Sequence, residues 1–222
     1  MRGIEFVDLK NETFRRHTAD DWHLVMNEKV IGTPTVKSRT IDLADRDGVL
    51  DFTESLTGAP AYETRTLSFR FEYLDSLDEW PEIITEIRNF LHGKRVKIHE
   101  PDDPDYYYIG RVSVGDPSGG LVKALSVDVI ADTWKYPITG ETIVTEAVAA
   151  SKTVNLVNSW RPVCPTIKTT EAVTFSFNDT NYSIAGAGTF RFPKFRLGYG
   201  LNVVTIVSGS GTITFTYQEG AL

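Results

Sequence analysis

The chain has 222 residues, enough for one large β domain or two modest ones with a real core, since folding at this size buries about 70% of the surface an unfolded chain exposes. Its hydrophobic fraction of 41% and charged fraction of 24% exclude a disordered or fibrous polymer. With 23 Lys+Arg against 30 Asp+Glu the net charge is −7, which argues against a protein whose main task is gripping nucleic-acid phosphates, though not against one that nucleic acid merely passes.

The opening Met1 to Phe6 carries Glu5 where a signal peptide would have its apolar run, and no small-residue cleavage site follows. The chain is therefore expected to be made without a secretory precursor. No run of eighteen apolar residues occurs, so no transmembrane helix is expected. His17 and His23 flank Asp20-Asp21, four metal-type ligands at a spacing that matches no closed site. They read as a polar segment before a strand containing Trp22, Leu24 and Met26. Ser38 to Gly58 is densely charged and alternates only in fragments. Connections inside small β domains usually run to about 4–6 residues, so this one reads as a projecting arm or binding loop, with Asp47-Gly48 as a two-residue hairpin turn.

Thr64 to Leu74 alternates cleanly, with Leu67, Phe69, Phe71 and Tyr73 on one face of a strand. The period then changes. Trp80, Ile83, Ile84, Ile87 and Leu91 form a helical stripe over about Glu79 to His92, with Asp78 as the expected cap, Pro81 in the first turn and Gly93 at the end. A helix this short is marginal alone and must lie on a sheet. Val96 to His99 is a short strand, turned by Pro101 to Asp105 into the run Tyr106-Tyr107-Tyr108. That strand, reaching Val114, pairs with Leu121 to Ile130 through the turn-rich Gly115 to Gly120. Asp102, Asp103 and Asp105 are expected to keep a hairpin tip solvated, because the two prolines and the missing Gly and Glu exclude an EF-hand loop.

After Tyr136-Pro137 charge thins, and short Thr/Ser/Val/Ile strands take over: Thr153 to Val157, Val173 to Phe177, Tyr182 to Ile184, Thr189 to Arg191, Leu201 to Val207 and Gly211 to Tyr217. Turn signals such as Asn178-Asp179 separate them, the pattern of a sandwich. Ile138 to Ser151 reads as the passage between domains. The fold class is mainly β: a domain over 1–138 with one packed helix and an arm, then a small β-sandwich over 139–222.

Chemistry is sparse. Cys164, the single cysteine, lies between Pro162 and Pro165 and excludes an intrachain disulfide or a cysteine zinc site. Gly209-Ser210-Gly211 precedes a strand rather than a helix, so it is no dinucleotide fingerprint. No nucleophile elbow or His-Glu-x-x-His occurs. No catalytic residue, cofactor or metal is therefore assigned, and the chain is read as not an enzyme.

Gly3-Ile4-Glu5-Phe6, Gly32-Thr33-Pro34, Arg46-Asp47-Gly48-Val49-Leu50-Asp51, Thr57-Gly58 and Tyr62-Glu63-Thr64-Arg65-Thr66-Leu67-Ser68-Phe69-Arg70-Phe71 resemble the first domain of the distal tail proteins of long, non-contractile-tailed bacteriophages (siphophages). The resemblance continues through Phe90-Leu91-His92-Gly93 and Asp103-Pro104-Asp105-Tyr106-Tyr107-Tyr108-Ile109-Gly110-Arg111-Val112. It extends more loosely through Asn158, Arg161-Pro162-Val163-Cys164-Pro165-Thr166-Ile167 and Gly200-Leu201-Asn202-Val203. It implies a tail-tube-like ring domain plus an outer galectin-like sandwich without enzymatic activity. It also implies a homo-oligomer, a hexameric ring at the virion tail tip between the tail tube protein and the tail-tip hub protein. DNA passes through such a ring without being specifically bound. Synthesis in the host cytoplasm and no membrane insertion are implied too.

The sequence departs from the family at Ser159-Trp160-Arg161, where a glycine is common, and carries no inserted saccharide-binding module. Host attachment is then expected to fall to a separate receptor-binding protein. A ring of one chain needs a heterologous contact, and the arm is the candidate interface, with Arg39 and Arg46 as charge partners and Leu43 and Leu50 as apolar anchors. Two alternatives stand beside this reading. A carbohydrate-binding module for host-surface attachment requires an exposed Trp160 or clustered tyrosines. A hydrolase requires a cleft with carboxylates about 5 to 9 Å apart.

Overall fold

The computed structural model describes residues 3–55 and 58–222. Met1, Arg2, Leu56 and Thr57 lie outside the described residues; Leu56 and Thr57 belong to the expected arm range, and Thr57 to the resemblance. The chain divides into two compact units, Met1–Lys135 and Tyr136–Leu222.

In the first unit the elements run β1 (Glu5–Asp8), β2 (Arg15–His17), β3 (Leu24–Ile31), β4 (Thr40–Asp42), β5 (Val49–Asp51), β6 (Arg65–Tyr73), α1 (Trp80–Leu91), β7 (Arg95–His99), β8 (Tyr106–Val114) and β9 (Lys123–Ala131). All but β4, β5 and α1 join one antiparallel sheet in the order β2-β1-β7-β8-β9-β6-β3. Alternation decides its faces. Leu67, Phe69, Phe71 and Tyr73 on β6, Leu125, Val127 and Val129 on β9, and Val96 and Ile98 on β7 are all buried, in one cluster with Ile84, Ile87, Phe90 and Leu91 of the helix. Burying each such side chain stabilises the fold by about 1.5–3 kcal/mol. The residues between them turn to the opposite, polar face: Arg70 and Arg111 are exposed there, Ser68 and Asp128 half-buried.

The helical stripe falls as its spacing predicts, and Phe90 joins it. The cap differs from expectation. Glu79, not Asp78, occupies the N-cap position, and no side chain caps the helix. The chain enters through a tight turn in which Glu79 N–H donates to Ser76 O at 3.2 Å and Glu79 is already in helical conformation, so Asp78 is held back from the free amides. At the other end Gly93 takes φ +75°, and its N–H donates to Val112 O at 2.8 Å, stitching the helix end to β8. Trp22 is buried before β3 rather than within it. A bulge falls between Met26 and Glu28 of β3.

The second unit contains β10 (Tyr136–Pro137), β11 (Thr142–Ala147), β12 (Thr153–Asn158), β13 (Thr166–Thr169), β14 (Val173–Phe177), β15 (Thr180–Ile184), β16 (Gly188–Phe190), β17 (Gly200–Gly209) and β18 (Thr212–Tyr217). Two four-stranded sheets, β11-β18-β13-β16 and β12-β17-β14-β15, enclose one core. At its centre Phe175 lies 5.2 Å from Tyr182, 5.3 Å from Phe195 and 6.0 Å from Phe215. Asn178 and Asp179 both take positive φ, 46° and 59°, the backbone a two-residue hairpin between twisted strands requires. The expected passage over Ile138 to Ser151 instead holds β11, paired along its length with β18. The fold class is mainly β, with a single α-helix among the described residues, as the sequence suggests.

Candidate assembly surface

The arm is a hairpin rooted beside the β3 edge of the large sheet. Its stem is a ladder: Lys37 N–H donates to Ala61 O and Glu63 N–H to Thr35 O, both at 2.8 Å. The Tyr62 ring meets Trp134 edge-on at 5.7 Å and fixes the stem. Beyond it β4 and β5 pair antiparallel, with Ile41 opposite Leu50. The closing loop spans 43–48, longer than the two-residue turn expected at Asp47-Gly48, although Gly48 supplies the positive φ of 77°. Arg46 N–H donates to Leu43 O within that loop, which pulls both residues into one turn.

The four residues expected at an interface divide as follows. Leu43 and Arg46 sit in the loop, exposed, and Leu50 is half-buried against its cross-strand neighbour. Arg39 stands at the hairpin base, where its N–H donates to Thr53 Oγ1 and its carbonyl accepts from Phe52 N–H. Ile41, Val49 and Phe52, which sequence reasoning did not single out, are also exposed, at 51%, 56% and 39%. Only the hairpin pairing reveals them as a set. An apolar surface of this kind on a thin, self-paired hairpin has no core of its own to enter.

The polar face of the large sheet carries the other charge cluster. The ladder sets Arg95 opposite Arg111. The carboxylate of Asp132 pairs with Arg95, whereas the Arg111 guanidinium donates to the Gly93 carbonyl at 2.6 Å. Near the tyrosine strand, Lys29 reaches both Glu100 and Asp102, and Lys135 pairs with Asp103 at 2.7 Å. Burial pulls the Lys29 ammonium down, but its bonds to Asp102 and Glu100 outweigh this and hold it above its ordinary value. The acidic turn thus ties β3 to the turn before β8, where a merely solvated tip was expected. Tyr107 and Tyr108 are buried, and the Lys135 ammonium stands 4.7 Å from the Tyr106 ring.

In the second unit Trp160 and Tyr199 stack at 4.2 Å and 12°, both exposed, at 60% and 66%. Asn202 builds the loop that presents Tyr199. Its Oδ1 accepts from Gly198 N–H at 2.9 Å, and its amide donates to the carbonyls of Leu156, Gly198 and Gly200. Beside the pair Val157 faces Leu201 across β12 and β17, and both side chains are exposed. Cys164 is a free thiol bonded to Phe192 O at 3.0 Å. His17 pairs with Asp20 at 2.6 Å and takes its amide partner from Asp21, a turn rather than a ligand set; His23 pairs with Asp75 at 2.9 Å. Among the described residues no group of three or more His, Cys, Asp or Glu is placed to hold a metal ion. No helix among them is long and apolar enough to cross a membrane. An open groove of about 620 Å³ on the polar face is lined by Asn27, Glu28, Arg70 and Asp116, among others. Its Asp116 is engaged with Arg88 at 3.2 Å.

No family model matches the sequence, and no curated protein does. Solved structures do. The crystal structure of SPP1 Dit (gp 19.1), described as a paradigm of the hub adsorption apparatus in phages infecting Gram-positive bacteria, covers 100% of both chains with a TM-score of 0.67 at 14% identity. A chain of the phage p2 baseplate in its activated conformation with Sr covers 98% of both chains at a TM-score of 0.46 and 7% identity, too distant to carry weight. The chain therefore has the fold of a phage distal tail protein, end to end.

Proposed function

We propose that this protein is a structural component of a siphophage tail tip, a ring that joins the tail tube to the tip hub and lets DNA pass. The observation that carries the reading is the full-length correspondence with a hub protein, both units in order, at a TM-score of 0.67. Two features support it. The arm exposes apolar side chains that its own unit does not cover, and the net charge of −7 suits a channel that must not retain DNA. In this reading the chain does no catalysis, resides in the virion tail, and takes the tube and hub proteins as partners, with a separate receptor-binding protein for attachment. Gold-labelled antibody against the second unit should mark the tail tip of intact particles. Label confined to the head or along the tube contradicts the assignment.

A second reading, a carbohydrate-binding surface, is favoured by the exposed Trp160–Tyr199 stack, since flat aromatic faces are what sugar rings pack on. Binding to a host-wall glycan that disappears in Trp160→Ala supports it; equal retention by both proteins removes it.

A further inference from the structure

The charges of the second unit are unevenly placed. It carries six Lys and Arg against five Asp and Glu, on a chain whose net charge is −7. The sheet β12-β17-β14-β15 holds no Asp, Glu, Lys, Arg or His in any of its strands. Four of the cations gather instead on the other sheet, β11-β18-β13-β16, and on the segment that follows β16. Lys168, Arg191, Lys194 and Arg196 are all exposed, and among the described residues none of them forms an ion pair.

Alternation turns them away from the core. Lys168 lies between Ile167 and Thr169, both buried, and so points outward. Across the ladder it meets Thr189 on β16 and Thr214 on β18, and Thr214 in turn meets Thr145 on β11. The next row pairs Thr166 with Thr216, and Arg191 is the outward residue that follows Thr189 along the chain. The segment after it stays alongside: the Cys164 thiol donates to Phe192 O at 3.0 Å, and Leu197 bridges Val163. Arg196 stands between Phe195 and Leu197, both fully buried, and is turned outward by the same alternation. Lys194 is exposed in the turn that Phe195 N–H closes by donating to Phe192 O at 2.9 Å. None of the outward strand residues on this face is a carboxylate.

Guarding an edge against stray pairing does not account for these cations, because β12 and β15, the edge strands of the other sheet, go without any charge. Rows of hydroxyls flanked by unpaired ammonium and guanidinium groups are suited to anions and to sugar or polyol hydroxyls. The rows recur at about 4.8 Å across strands and about 6.8 Å along them, a repeat that suits a polymer better than a single small ion. Nucleic acid fits less well. The rings of this stretch, Phe190, Phe192 and Phe195, pack on the core, so bases find no stacking platform among the cations. We infer that this face of the second unit binds an anionic envelope polymer, one whose hydroxyl-bearing repeats are joined by phosphodiesters. The inference goes beyond the ring role and does not depend on it: the second unit adds a weak, many-point contact with the host surface to the attachment made by a receptor-binding partner.

The test uses the full-length protein and poly(glycerol phosphate), with dextran as the uncharged polyol and duplex DNA as the competing phosphate polymer. The protein should retain poly(glycerol phosphate) at low salt but not dextran, with log K falling linearly with log salt. Lys168→Ala/Arg191→Ala/Arg196→Ala should weaken binding about tenfold or more and flatten that slope. Lys10→Ala/Arg15→Ala/Lys37→Ala, which removes the same charge from the first unit, should change neither. Thr189→Val/Thr216→Val should lower the affinity and leave the slope intact. A further readout needs no variant: bound polymer should shield Lys168 and Lys194 from acetylation while Lys10 and Lys37 stay reactive. No retention of the polymer, or shielding confined to other lysines, overturns the inference. Duplex DNA held as tightly as poly(glycerol phosphate) overturns the polyol polymer as the ligand. Each of these failures leaves the ring reading intact, and a chain that binds the polymer but never assembles overturns the ring reading alone.

Discussion

The Tyr217 hydroxyl donates a hydrogen bond to the main-chain carbonyl of Val157 at 2.6 Å and so ties β18 of one sheet to β12 of the other. Burial, with Glu219 adding to it, pushes the phenol up to about 12, so the donor keeps its proton across the range in which the protein works. Tyr217→Phe keeps the ring in the core and leaves the carbonyl without its partner. Chemical denaturation should show a loss of about 1–3 kcal/mol with an unchanged slope. An unaltered midpoint would mean that water replaces the bond at no cost.

Ile87 is fully buried between the helix and the large sheet. Ile87→Ala should destabilise the first unit by about 2–5 kcal/mol, through lost transfer energy and the cavity left behind. The full chain has two units, so the expected signature is a lowered melting transition for the first unit with the second unit's transition in place. A shift worth less than about 1 kcal/mol contradicts the packing described.

His99 gives the first unit a pH dependence. Burial pulls its imidazole below the ordinary value of 6.5, against the smaller opposing effect of Glu5. A depressed value means the unfolded chain takes up the proton first. The stabilisation is therefore complete above pH 6.5 and is lost as pH falls through the lower, folded-state value. Stability should drop between about pH 7 and pH 5, and His99→Gln should flatten that slope. A wild-type profile as flat as the variant's would refute it.

Much of this was legible in the sequence where a pattern is local. The α1 stripe, the β6 alternation and the Asn178-Asp179 turn each follow from spacing or backbone preference within a few residues. β13 was not, because Thr166–Thr169 is four residues long and reads as the tail of the Pro165 loop; only pairing with β16 and β18 makes it a strand. β11 was missed for another reason. Its burial pattern alternates between half-buried and exposed, so apolar contrast is weak. The arm was visible as a charged excess, but its apolar set needed the Ile41–Leu50 register. The pairing of Arg95 with Arg111 and the stacking of Trp160 on Tyr199 join residues distant in the chain, which no local period can report.

Among the described residues the arm hairpin's strands pair only with each other, so removing them breaks no ladder of the large sheet. Deleting Asp42 to Asp51 should give a folded monomer with the thermal stability of the full chain but no assembly at concentrations where the full chain assembles. A deletion variant that remains hexameric would show that the interface lies elsewhere.

The native mass of the full-length protein across a range of concentrations tests the central claim most directly. A closed ring predicts a single hexameric species that saturates and does not grow further, with an open centre in projection images. A monomer at every concentration, a two-fold dimer, or open chains that lengthen without limit would contradict it.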